Sequence, residues 1–477
     1  MKRSVNQQAS IPAIILVASA ALLLFSTEGL CQNKMLTLDQ AVKSALLKGP
    51  GVSAAEYNIK AAEYGKKKAF TNFFPIYTAE LRALYYSKKS GLGDFDMSGL
   101  AFDPALIPLP DSENDTAFDQ FMYLAMQGMG DAFSNMGSLE SEQYDVMITL
   151  SMVQPLTPLY QVYYGYKLAD LGIDVAQIEL AKTRRDLTYQ VKNAYFTILK
   201  LGHGIDAMDE AIASVQGHVA KAELFFQQKV ITKNDVLQAK ARLAQLEAQR
   251  IQLDGTLEIV HEGLNSAAGL KSGTVSQLQE PQEKFAGVVP TFDEAMKEAM
   301  QNRPDLKGLE IMIEQANQVE KIAVGEFIPQ VSAIVNYQHN EGSVMEYPPF
   351  AFGAVLNWNF WTWGKNTYGL KQARMQIKAI KEAHKSMKAV VAVEVKEALS
   401  RLRVSALTLE KAEASVTASE EQLRIENERY AQNVNTSTEV LDAQTRLTQS
   451  KLERENAKYD IYIALALLEK VTGKAWQ

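Results

Sequence analysis

Apolar positions along the chain follow two regimes, one with a period near 3.6 and one with a period of two. The helical regime dominates. Gly165 to Gln228 and Gly369 to Gln432 contain no proline and are rich in Ala, Glu, Gln, Lys and Leu. At about 1.5 Å per residue, each predicts a helix of roughly 90–95 Å, where a mean helix has only about 11–12 residues. Shorter return helices are expected over Asp235–Ala268 and Thr438–Thr472, and start helices over Thr37 to about Ala69 and Thr291 to about Ala323. Pro50 and Pro304 interrupt the start helices. A start helix and a return helix placed end to end match the length of one long helix. Helices of this kind also suit a soluble coiled coil, so they do not fix the fold alone.

The period-two segments discriminate. Strands are expected at about 76–86, 145–154, 330–339 and 353–361. Tyr77, Ala79, Leu81, Ala83 and Tyr85 share one face of the first, with Glu80 and Arg82 on the other. Val146, Ile148, Leu150 and Met152 oppose Thr149 and Ser151 in the second. Val331, Ala333, Val335 and Tyr337 oppose Ser332, Asn336 and Gln338 in the third; Ala354, Leu356, Trp358 and Phe360 oppose Asn357 and Asn359 in the fourth. Segments of about 10 residues suit tilted strands that cross a bilayer. The aromatic residues Tyr77, Tyr85, Tyr337, Trp358, Phe360, Trp361 and Trp363 lie near their ends, as an interfacial girdle requires. A small soluble sheet with one buried face is the alternative. If the strands do face lipid, four cannot close a barrel, which takes at least about eight, and open edges are not tolerated there. The chain must then oligomerise, and three copies leave a wider lumen than two.

The plan occurs twice. Thr37-Leu38-Asp39-Gln40-Ala41 aligns with Thr291-Phe292-Asp293-Glu294-Ala295, and at constant spacing Pro50 meets Pro304 and Pro75 meets Pro329. Chance similarity between helices would not align both prolines. Each half opens on a Thr with Gln or Glu three residues later, a capping box. The first repeat is placed at 32–289 and the second at 290–477.

Composition narrows the function. A net charge of −7 and a pI near 5.5 exclude a binder that neutralises many phosphates, so no nucleic-acid partner is expected. Lys2 and Arg3 precede the apolar run Ile11–Phe25, which reads as an export signal over 1–31. Cys31, the only cysteine, is expected to leave with that signal. Acylation of Cys31 is the alternative, although Leu30 departs from the small residue such sites prefer. Beyond the signal no apolar run approaches a membrane-spanning helix.

With its doubled helix–strand–strand–helix–helix plan and the Leu36-Thr37-Leu38-Asp39-Gln40-Ala41 opening, the chain resembles the TolC-like outer membrane efflux proteins from about Leu36 to Gly473. The resemblance implies a mainly α fold with a small antiparallel β part, giving four strands and two long helical hairpins per chain. It further implies a homotrimer whose shared barrel in outer-membrane lipid continues as a helical tube across the periplasm. A periplasmic adaptor and an inner-membrane transporter are the implied partners, in tripartite efflux or type I secretion. The alternative is a periplasmic coiled-coil structural or adaptor protein without a barrel.

Under this resemblance the turns near Lys229-Val230-Ile231-Thr232 and Asn433-Val434-Asn435-Thr436 form the periplasmic tip. Glu439 and Asp442 match the acidic positions that narrow the pore, and ordinary solvated helix residues are the bland alternative. Tyr430 and Asp235 match residues that tie the two turns together, with Thr232 and Thr436 beside them. The family's arginine is replaced by Asn435, so a closed tip is expected to rest less on charge pairing. Glycine is common in the family where Lys229 and Asn433 stand.

Other chemistry finds no support. Met97, Met122, Met126, Met129 and Met136 lie in the long first loop, Ser87 to Gln143. They read as the apolar face of a short helix rather than a soft-metal site. His203, His218, His261, His339 and His384 lack metal-ligand spacing, and neither a phosphate loop nor a nucleophile elbow occurs. No enzyme activity and no cofactor are expected.

Overall fold

The computed structural model describes residues 35–85, 87, 144–274, 277–281, 289–341, 348–432 and 434–474. The expected leader with Cys31, the methionines of the first loop and Asn433 lie outside the described residues. The first half runs α1 (Leu38–Lys48), α2 (Pro50–Thr71), β1 (Ile76–Tyr85), β2 (Tyr144–Pro155), α3 (Leu159–Gln227) and α4 (Lys233–Ala268). The second runs α5 (Phe292–Asn302), α6 (Pro304–Gly325), β3 (Gln330–Glu341), β4 (Phe350–Asn357), α7 (Lys365–Ala431) and α8 (Ser437–Thr472).

Local chemistry explains the boundaries. Pro50 and Pro304 open α2 and α6, where a missing N–H costs nothing. Thr37, Thr291 and Thr436 cap α1, α5 and α8, each accepting from the third helical N–H while Gln40, Glu294 or Glu439 reaches back to the cap. The long helices, of 69 and 67 residues, begin before Gly165 and Gly369 rather than at them. Both glycines lie within continuous helix, with nothing packed within 4 Å of a side chain built there. The fourth strand ends at Asn357, short of the expected 361, because its partner β3 begins only at Gln330, opposite Asn357. Trp358, Phe360 and Trp361 therefore follow the strand instead of lying in it.

Contacts divide the chain into two units, each drawn from both halves. One comprises Tyr57–Ile178 and Lys307–Ser386 and holds the sheet, an antiparallel meander in the order β1-β2-β3-β4. Thr157 anchors it by donating to the Pro329 carbonyl at 2.6 Å.

The other unit comprises Met1–Glu56, Glu179–Leu306 and Met387–Gln477. Two of its cores repeat position by position. Ala41, Ala45, Val191, Tyr195, Ile198 and Leu264 form one, and Ala295, Ala299, Val395, Leu399, Leu402 and Leu468 form the other. The fully buried alanines let the start helices α1 and α5 approach the return helices α4 and α8 closely. The linker residues 277–281 are strapped onto the first core. Leu36 bridges Leu278, and the Tyr195 hydroxyl lies 2.8 Å from the Leu36 carbonyl and 2.7 Å from that of Gln279. Burial pushes the Tyr195 phenol up to about 12. Glu280 accepts from the Tyr459 hydroxyl through both carboxylate oxygens at 2.8 Å and lies 2.6 Å from His203 Nε2.

Candidate functional site

Two regions carry the chemistry that the sequence singles out: the sheet and the helical turns. Register decides what the sheet presents. Tyr77 pairs with Met152, Leu81 with Ile148 and Tyr85 with Tyr144. Leu150 pairs with Tyr337 and Met152 with Val335. Tyr337 then pairs with Phe350, Val335 with Phe352 and Val331 with Leu356. Since directly opposed residues share a face, the apolar stripes of all four strands merge into one. Tyr77, Leu81, Tyr85, Leu150, Phe350, Phe352 and Leu356 are exposed on it. The reverse face pairs Thr149 with Gln338 and Ser151 with Asn336, and Arg82 meets Asp145 at 3.6 Å. β1 and β4 each have one unpaired edge within the sheet of the described residues.

The aromatic candidates follow this geometry. Tyr77 and Tyr85 occupy opposite ends of β1, and Tyr337 packs its ring 5.0 Å from Phe350. Trp358, Phe360, Trp361 and Trp363 form an exposed cluster between β4 and α7, with Trp361 and Trp363 edge to face at 5.6 Å. Trp363 adopts φ 53, which turns an 85% exposed ring outward. A left-handed backbone at a bulky residue is uncommon and strained.

At the turns, α3 ends with Val230 N–H donating to the Phe225 carbonyl and Lys229 N–H to that of Phe226, both at 2.9 Å. This ending places Lys229 at φ 59, a conformation that glycine adopts without strain. Val434 N–H closes the second turn in the same way onto the Arg429 carbonyl, at 2.9 Å. Thr232 directs both its N–H and its hydroxyl at Asp235, at 2.9 and 2.7 Å. Asn435 donates to the Glu426 carboxylate at 2.6 Å and to the Glu426 carbonyl at 3.1 Å, both within its own hairpin. Glu439 accepts from Thr436 N–H at 2.7 Å, so part of its carboxylate is committed to the cap. Asp442 is exposed and makes no ion pair among the described residues.

The structure also joins residues that sequence reasoning did not connect. His218 of α3 is buried, with Nε2 2.7 Å from the hydroxyl of Ser437, the first residue of α8. Its ring lies 4.8 Å from that of Tyr430, and Phe225 lies 5.6 Å from Tyr430 on another side. The Tyr430 hydroxyl is buried without a hydrogen bond of normal geometry. Burial raises the Tyr430 phenol, the Asp235 carboxylate adds to this and the Ser437 hydroxyl opposes it. Among the described residues no cluster of His, Cys, Asp or Glu could hold a metal ion, and no helix is long and apolar enough to cross a membrane.

Comparisons with known proteins agree with this geometry. A family model described as outer membrane efflux protein matches residues 295–474. The outer membrane protein TolC of Vibrio cholerae serotype O1 is 21% identical over 306 residues, covering 62% of this chain and 70% of that protein. Among solved structures, the Campylobacter jejuni CmeC outer membrane channel superposes with a TM-score of 0.71 at 15% identity. It covers 93% of this chain and 86% of its own. The outer membrane protein VceC of Vibrio cholerae gives 0.70 at 16% identity, over 92% and 97%.

Proposed function

We propose that this chain, which belongs to the TolC-like outer membrane efflux protein family, builds its channel as a homotrimer. It is an outer-membrane efflux channel component and conducts without catalysing a reaction. The observation that carries the oligomer is the sheet: its apolar face runs unbroken across four strands while both outer edges lack partners among the described residues. Lipid satisfies the face and leaves the edges unsatisfied, so other copies must supply the missing hydrogen bonds. Three copies leave a polar-lined lumen. A periplasmic adaptor and an inner-membrane transporter would deliver cargo to the helical end. The aromatic residues between β4 and α7, with Tyr77, would mark one lipid interface, and Tyr85 the other.

Purified protein in detergent is expected to run as a heat-modifiable trimer and to give discrete conductance steps in planar bilayers. A monomer that stays soluble without detergent refutes the reading. Within the lumen, Asp442 is the freer of the two acidic candidates, since Glu439 caps α8. Asp442→Asn is therefore expected to reduce cation selectivity more than Glu439→Gln, measured as a reversal-potential shift in a salt gradient.

A further inference from the structure

The turns hold one buried titratable contact that neither capping nor the family assignment uses. His218 of the first hairpin meets Ser437 of the second at 2.7 Å, and Tyr430 covers its ring. We propose that His218 is a proton-sensitive latch that keeps the two hairpins packed together near their turns only while its imidazole is neutral. The inference rests on reading these turns as the mouth of the conduit.

The groups around the ring decide the sign. Lys221 on the same helix is cationic and lines the same cleft, together with Ser214, Gln444 and Asn427, which are neutral. Tyr430 from α7 and Ser437 from α8 are neutral as well. Asp235 of α4 acts on Tyr430. No carboxylate among the described residues forms an ion pair with His218, whereas His203 has both Asp206 and Glu280. Ser437 can accept from an imidazolium as readily as from a neutral ring, so protonation does not break that bond. It leaves an unpaired cation in a largely buried site beside Lys221, and parting of the hairpins hydrates that cation more fully.

Burial first, then Lys221, pushes His218 down to about 4 in the packed state. A hydrated histidine titrates near ~6.5. The contact is therefore at full strength above about pH 6.5 and weakens as pH falls toward 4. Linkage over that interval shifts the packing equilibrium by roughly two orders of magnitude per subunit.

The test uses the full-length protein in detergent and in planar bilayers. Spin labels at Val230→Cys and Val434→Cys, both exposed turn residues, report hairpin separation between pH 7.5 and 4.5. The labels are expected to move apart on acidification in the otherwise native chain. His218→Gln and His218→Phe should abolish the response, while His203→Gln should retain it. Unchanged distances in the native chain, or an unchanged response in both His218 variants, overturn the latch. Conductance reads the gate separately. Separation of the labels accompanied by conductance that rises on acidification supports both latch and conduit, and separation in a protein that never conducts sustains the latch while removing the conduit reading.

Discussion

Where its start helix meets its long helix, the second half buries Arg303, which bonds Asp305 at 2.7 Å and pairs with Glu394. The matching residue of the first half is Gly49, whose backbone has nearly the same conformation. There Leu187 fills the space, and a side chain added at Gly49 would lie 2.4 Å from the Ala45 carbonyl oxygen and 3.0 Å from a Leu187 methyl group. At the corresponding place in the second half stands Val391. One frame thus tolerates an apolar junction and a charged one. The charged version does more than fill space, because Asp305 also receives Arg185 at 3.1 Å from the long helix of the first half. An apolar junction holds one hairpin to its own start helix. The charged one clamps the second start helix to both hairpins.

Removing Arg303 should separate the two junctions most clearly. Arg303→Met leaves Asp305 and Glu394 short of a partner, and is expected to destabilise by about 2–3 kcal/mol, part of the cost being recovered through Arg185. Thermal melts in detergent check this, and an unchanged melting temperature would refute the clamp. Acid gives the next effect. Burial opposes ionisation of Asp305, but Arg303 and Arg185 outweigh it and hold the carboxyl below its ordinary value. Its contribution is then complete above about pH 4 and is lost as pH falls further. Melting temperature should drop in that range, and Asp305→Asn should flatten the drop.

The turns sharpen the same comparison on a smaller scale. Thr436→Ala is expected to cost about 1 kcal/mol through loss of the α8 cap. Thr232→Ala should cost less, since the Thr436 hydroxyl accepts from the Glu439 N–H while the Thr232 hydroxyl only donates to Asp235. Smallest, and of opposite sign, is Lys229→Gly, which should stabilise by somewhat under about 1 kcal/mol by relieving the left-handed backbone. A measured loss there would show that the lysine side chain has a role of its own.

Much of the frame is legible because it rests on local chemistry. The prolines at 50 and 304, the Thr caps and the period-two stripes each act within a few residues. Where a partner far along the chain decides, the sequence is silent. The last strand stops at Asn357 because β3 begins at Gln330, opposite it. Asn435 turns back to Glu426 on its own hairpin, which a motif aligned by position does not reveal. His218 and Ser437 are 219 residues apart, and nothing in their local spacing connects them. Glu439 was legible as an acidic position, but its commitment to the Thr436 cap emerges only from geometry.

The meander has a consequence for counting. Each chain contributes strands that alternate in direction and end on opposite edges, so in the proposed oligomer β4 of one copy would meet β1 of the next running the other way. Such a joint is equally sound in a ring of any size. The backbone ladder therefore sets how neighbours join and is indifferent to how many there are. In the proposed oligomer, stoichiometry would then be decided outside the sheet.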